Sequence, residues 1–344
     1  MTGGKLLKIH KWWASHYGTM MAFVYVVTSL SPTPPSLATF LTTLGIFTVA
    51  SVGIGSFGQL LNDLADIPQD LRSGSHNLVA TKSVFARVAI FAAALAIGIV
   101  PWVWLPTTPA IRALIAAEYV LFAAYSLPPI RLKTRGILGA VADALYGYVV
   151  PNAVAVLLFA RLANVEVPAW LLGPLVAWCF FFGLERILHH QLVDESRDSC
   201  DGITTFVVRR GWRQAFDDVL RIALPLAAAS FVVLLVCLGM VAPLIPAFFV
   251  GYLVVALRHW AHTSVGGATR LERLPPVTRH YLVAELAIAR FTWRWLPLLG
   301  LATLVAHRPA YLPVAVLHFL LFPEPVVWLW RTGVPEAQRL FRAA

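Results

Sequence analysis

Asn62, Asp66 and Asp70 stand four residues apart, with Asp63 beside them, where a long apolar run ends. On a helix that step stacks the three side chains along one face. Farther along the chain His190, Asp194 and Asp198 repeat the step, again at the end of an apolar run. Carboxylates this close repel one another unless a cation neutralises them. Oxygen ligands without cysteine select magnesium over zinc. Magnesium keeps several waters and bridges one or two carboxylates to phosphate. The pattern therefore predicts a diphosphate held by magnesium where two membrane helices reach water. A single aspartate outside a span is commonly just solvated. Two groups with the same step are harder to read that way, because ionisable groups at membrane depth are costly and mark function.

The elements that must position these groups follow from composition. The chain has 344 residues, 59% hydrophobic and 13% charged, with a mean hydropathy of +0.74. Soluble domains carry about 25% charged residues, so the sequence reads as an all-α integral membrane protein forming one domain, residues 1–344. The net charge of +10 fits positive cytoplasmic loops and anionic lipid. No basic run interleaved with aromatics asks for nucleic acid. Cys179, Cys200 and Cys237 form neither a CxxC nor a close pair, so neither zinc nor a disulfide framework is expected.

Residues 1–15, with Lys5, Lys8, Lys11, Trp12 and Trp13, read as a cytoplasmic amphipathic lead-in. Spans are expected near 16–30, 38–60, 84–105, 109–126, 137–160, 168–190, 218–240, 243–258 and 284–306. Each is close to the ~20 residues that cross a hydrocarbon core. Residues 307–344 form a C-terminal extension in which a tenth apolar segment, 311–330, is broken by Pro323 and Pro325. Alternate links carry Arg72 and Lys82; Arg131, Lys133 and Arg135; Arg209, Arg210 and Arg213; and Arg270, Arg273 and Arg279. That asymmetry places the N-terminus and both acid groups on the cytoplasmic side of the cell membrane.

Between the acid groups lies Tyr125-Ser126-Leu127-Pro128-Pro129-Ile130-Arg131-Leu132-Lys133. Its proline pair stiffens an exit turn and aims two cations back toward the mouth, although Arg131 and Lys133 also read as ordinary loop charges. Beyond the second group, Gly202, Thr204 and Gly211 supply a turn before Arg209-Arg210. No GxxxxGK phosphate loop appears, so nucleotide-driven transport has no support.

The run NDLADIPQD, residues 62–70, resembles the NDxxDxxxD signature of the UbiA-type intramembrane prenyltransferase superfamily. DESRDSCDGITT, residues 194–205, is similar to its second DxxxD motif, and YSLPPIRLK to its intervening tyrosine and basic segment. The resemblance covers about residues 16–306. It implies about nine helices in a U-shaped bundle around a central cavity open to lipid. It also implies magnesium-dependent transfer of a prenyl group from a polyprenyl diphosphate to a small-molecule acceptor, usually aromatic. By the same resemblance Asp66, Asp70, Asp194 and Asp198 would be catalytic metal ligands, supported by Asn62 and Asp63. Arg72, Arg131 and Lys133 would grip the diphosphate, with Tyr125 orienting it and His190 in reach. Phe57, Tyr146 or Trp178 would offer aromatic faces to the carbocation.

The chain departs from the family in having Gly74-Ser75-His76-Asn77 after the first motif and His189-His190-Gln191 before the second. Asp143, Glu185 and Arg186 also fall inside expected spans. Glu185 and His189 share a helix face and can hydrogen-bond each other. These residues either receive the acceptor or pair internally, Asp143 or Glu185 with Arg186, to fix packing. A membrane terpene cyclase, phosphoribosyl transfer to polyprenyl phosphate, and a cation-coupled transporter or lipid-binding protein are the other readings. Inverted repeats with midplane broken helices would favour the transporter.

Overall fold

The computed structural model describes residues 13–74, 77–262 and 288–323, together with 327. Most of the lead-in, the link carrying Arg270, Arg273 and Arg279, the start of the ninth span and most of the C-terminal extension lie outside the described residues. The described chain is helical. Its one β feature is an isolated bridge between Gly136 and Thr205.

A π turn, Trp13–Tyr17, leads into α1, Gly18–Ser29. α1 is buried over nearly its whole length, as a helix apolar on every side should be. α2, Leu37–Ser73, starts where the Ser36 hydroxyl accepts from the Thr39 amide and ends at Gly74, whose φ of +70° suits glycine. α3, Val84–Ile99, and α4, Pro109–Ser126, begin with the same device at Ser83 and Thr108. α5 runs Ile137–Leu162 with a π turn at its middle, and α6 runs Ala169–Cys200. α7 is Trp212–Val241 and α8 Leu244–His262. α9, Leu296–His307, and the short α10, Leu312–Leu321, complete the bundle.

α2, α5, α6, α7 and the α3 helix extended to Trp104 are long and apolar enough to cross a membrane. α4 matches its expected span but is less apolar, since it carries Arg112 and Glu118. α2 and α6 have 37 and 32 residues, about 55 and 48 Å at 1.5 Å per residue. Both exceed a ~30 Å hydrocarbon core. The acid groups thus ride on continuous helical overhangs instead of in links, as the expected boundaries at 60 and 190 would have it. Pro68 does not break α2, because it and Leu64, whose carbonyl loses its partner, sit on the exposed side.

α1 is wedged between two apolar clusters. One joins it to α2, α4 and α5, the other to α5, α6, α7 and α9. α2 and α3 touch backbone to backbone: a Cβ on Gly53 would lie 2.2 Å from the Gly98 amide nitrogen. Small residues permit such contact between membrane helices. Gly53→Ala should therefore lower stability by about 1–3 kcal/mol, read as a reduced Tm in detergent. An unchanged Tm would mean these backbones are not in contact.

Candidate active site

Between the two clusters lies a cavity of about 820 Å³, within the usual range for ligand sites. One face of α2 lines it: Phe47, Ser51, Ile54, Gly58, Gln59 and Asn62. α4 adds Glu118, Phe122 and Tyr125, and α6 adds Arg186, His189, His190, Asp194 and Asp198. Gly58 gives the Phe122 ring its place here, because a Cβ would crowd the outer ring atoms and push the ring aside.

Lys133, from the loop after α4, reaches across to α2. Its ammonium donates to Asn62 Oδ1 at 3.2 Å and to Asp66. Lys133 is only 6% exposed. Burial pulls its pKa below the ordinary lysine value, while the Asp66 carboxylate opposes that shift. Arg131 donates to the same Asp66 oxygen at 3.0 Å and also to Gln69. Its φ of +37° is unusual for a residue with a Cβ, and such strain gathers at functional sites. The loop therefore turns both cations onto the first acid group.

The second acid group is tied to the first. Gln69 Nε2 donates to the Asp201 carbonyl at 3.1 Å. The Thr204 hydroxyl and the Arg209 guanidinium both donate to the Thr134 carbonyl, at 2.7 and 2.8 Å. His190 Nδ1 lies 3.1 Å from Asp194 Oδ2. Asn77, in the segment that departs from the family pattern, donates from one amide to Asp70 Oδ2 and to the Asp63 carbonyl, each at 2.7 Å. It holds Asp70 in place as the chain leaves α2.

Of the residues singled out in the sequence, Asn62, Tyr125, Lys133, His190, Asp194 and Asp198 line the cavity. Asp66 joins it through Lys133 and Arg131 through Asp66, and Asp70 lies one turn farther along α2. Asp63 is buried outside the lining, and Arg72 is exposed outside it. Of the three expected aromatic faces only Tyr146 is in the lining. Phe57 packs against Phe91 and Tyr119, and Trp178 against Phe182 and Phe231. Phe122 and Tyr125 surround the Tyr146 ring instead, at centroid distances of 4.7 and 5.2 Å.

Farther in, the Tyr146 hydroxyl donates to Asp143 Oδ2 at 2.5 Å, and His189 Nδ1 lies 2.8 Å from Glu185 Oε1. Arg186 sits 5.3 Å from the centre of the Trp293 ring. Neither Gln69 nor Glu118 was singled out in the sequence, and Asn77 was marked only as part of the segment that departs from the family pattern. Gln69 lies inside the first motif and Glu118 is a lone charge in an apolar run, and both are signals that were available.

Among the described residues no three His, Cys, Asp or Glu side chains converge closely enough to cage an ion. The donors facing the mouth are nonetheless hard oxygens from two helices, Asn62 on α2 and Asp194 and Asp198 on α6, with Asp66 alongside. Such a set fits magnesium, which takes its remaining ligands from water and phosphate.

The model of the UbiA prenyltransferase family matches residues 18–272. Among solved structures, a UbiA homolog from Archaeoglobus fulgidus bound to DMAPP and Mg2+ is similar at TM-score 0.55 and 17% identity. That match covers 88% of this chain and 98% of the homolog. The apo UbiA homolog from Aeropyrum pernix K1 gives TM-score 0.56 at 18% identity, covering 85% and 97%. No curated protein matches the chain significantly.

Proposed function

Because the chain belongs to the UbiA prenyltransferase family, we propose that it transfers a prenyl group from a polyprenyl diphosphate to a small-molecule acceptor at the cytoplasmic face of the cell membrane. The observation that carries this reading is Lys133, held between Asn62 and Asp66 at a cavity whose other wall bears Asp194 and Asp198. Solved relatives hold DMAPP or GPP together with Mg2+, and the donors here suit the same pair. Asn62, Asp66, Asp70, Asp194 and Asp198 would hold magnesium, which when bound absorbs negative charge developing on the leaving diphosphate.

The chain's own groups do the rest. Lys133 and Arg131 exchange part of their hold on Asp66 for diphosphate oxygens and add charge-assisted hydrogen bonds. Their donation strengthens as the C–O bond breaks. The prenyl chain lies inward along the apolar wall, where water is excluded and the ring faces of Phe122, Tyr125 and Tyr146 are available to the developing carbocation. The acceptor's polar part is received by Asp143, Arg186 and His189. In the tautomer that donates from Nδ1 to Glu185, His189 Nε2 is the ring's basic atom. It takes the proton that the acceptor loses on alkylation, and Glu185 orients the ring.

Lys133→Ala tests the diphosphate contact. KM for the prenyl donor should rise about tenfold, and kcat should fall as well if the contact tightens during ionisation. Unchanged KM and kcat would return Lys133 to an ordinary loop charge.

A further inference from the structure

Glu118 has no place in the mechanism above. It is 5% exposed and lines the cavity with Phe47, Ile54, Trp102 and Phe122. Among the described residues no hydrogen bond or ion pair reaches its carboxyl. It shares one face of α4 with Phe122 and Tyr125, which also line the cavity. It stands seven positions before Tyr125, so it lies about 11 Å farther in along the helix. A carboxyl group donates a hydrogen bond when protonated and accepts when ionised. A plain hydrocarbon chain drawn past it would strip its water and return nothing, which is costly for a buried polar group. Ionisable residues inside a membrane bundle are retained with a partner, and among the described residues the cavity wall around Glu118 supplies none.

We propose that Glu118 is a specificity-determining residue that hydrogen-bonds a hydroxyl group carried by the ligand in the inner part of the cavity. This rests on the donor-and-acceptor reading of the same cavity. The hydroxyl is carried either by the prenyl chain or by the acceptor. A site built to bond a hydroxyl discriminates strongly against the analogue lacking it, because its own polar group is then left unpaired.

Two probe pairs separate the sources. The first is geranyl S-thiolodiphosphate and its analogue with a hydroxyl at the far end of the chain, each with magnesium. The second is hydroquinone and its dimethyl ether, whose binding does not depend on the diphosphate mouth. Affinities are measured on the full chain in detergent for wild type, Glu118→Leu and Glu118→Gln. Wild type should favour the hydroxyl member of one pair at least tenfold, and that pair names the source. Glu118→Leu should erase the preference and Glu118→Gln, which still hydrogen-bonds, should keep part of it. Unchanged magnesium-dependent binding of inorganic diphosphate shows that each variant is folded. Equal binding within both pairs by wild type, or a preference that survives in Glu118→Leu, overturns the proposal. Loss of magnesium-dependent binding for both members of the first pair would overturn the donor reading instead, and leaves the second pair to decide Glu118.

Discussion

Asp66→Ala and Asp194→Ala should each lower turnover on the order of a thousandfold or more while leaving folded, monodisperse protein. The two residues come from helices α2 and α6, and their separate loss tests whether the acid groups form one site. Asp66 receives both Lys133 and Arg131, so its removal also frees the two cations that must face the diphosphate. Among the described residues the ion-pair partner of Asp194 is His190, on the neighbouring turn, and Asp194 is half-buried, so its loss should disturb packing little. Residues acting as a unit are not additive. The double variant should thus be hardly worse than either single one. A single variant that keeps half of wild-type activity at saturating magnesium would remove that aspartate from the site.

Glu185→Gln should separate the two halves of the reaction. Glutamine keeps the shape and can still accept a hydrogen bond from His189, but it cannot stabilise the charged imidazolium that forms when His189 takes a proton. Diphosphate release should persist while prenylated product falls at least tenfold, because only acceptor deprotonation needs the charge. A purely structural pair predicts near-normal catalysis with a lower Tm. Product and release both at wild-type levels would rule out this face as the acceptor site.

The acid groups were legible because a four-residue step survives translation into a helix whatever the exact boundaries. The start of α4 was legible too, since Thr108 and Pro109 are a helix start written in two residues. The ends of α2 and α6 were not. Apolarity stops near 60 and 190, but backbone hydrogen bonding continues until Gly74 and Asp201. The loop cations were expected to turn back toward the acid groups and they meet Asp66, yet which oxygen each would meet depends on the left-handed turn at Arg131. The aromatic lining was misjudged because an apolar span has no polar face to orient it. Phe57 and Phe122 both belong to apolar runs, and only packing turns one into the core and the other to the cavity. The contact of Glu185 with His189 followed from their four-residue spacing, whereas Asp143, offered Arg186 as a partner in the sequence, accepts from Tyr146.

Magnesium-dependent ionisation of a prenyl diphosphate is the step on which the proposed function depends most directly. Purified protein in lipid nanodiscs would be given DMAPP, geranyl, farnesyl and geranylgeranyl diphosphates, with and without magnesium and a panel of aromatic acceptors. Diphosphate release would be measured beside product. The expected result is release that needs magnesium, prefers one chain length, yields a prenylated acceptor and disappears in Asp66→Ala and Asp194→Ala. Release that is the same without magnesium or in those variants, or no release from any of the four donors, would contradict it.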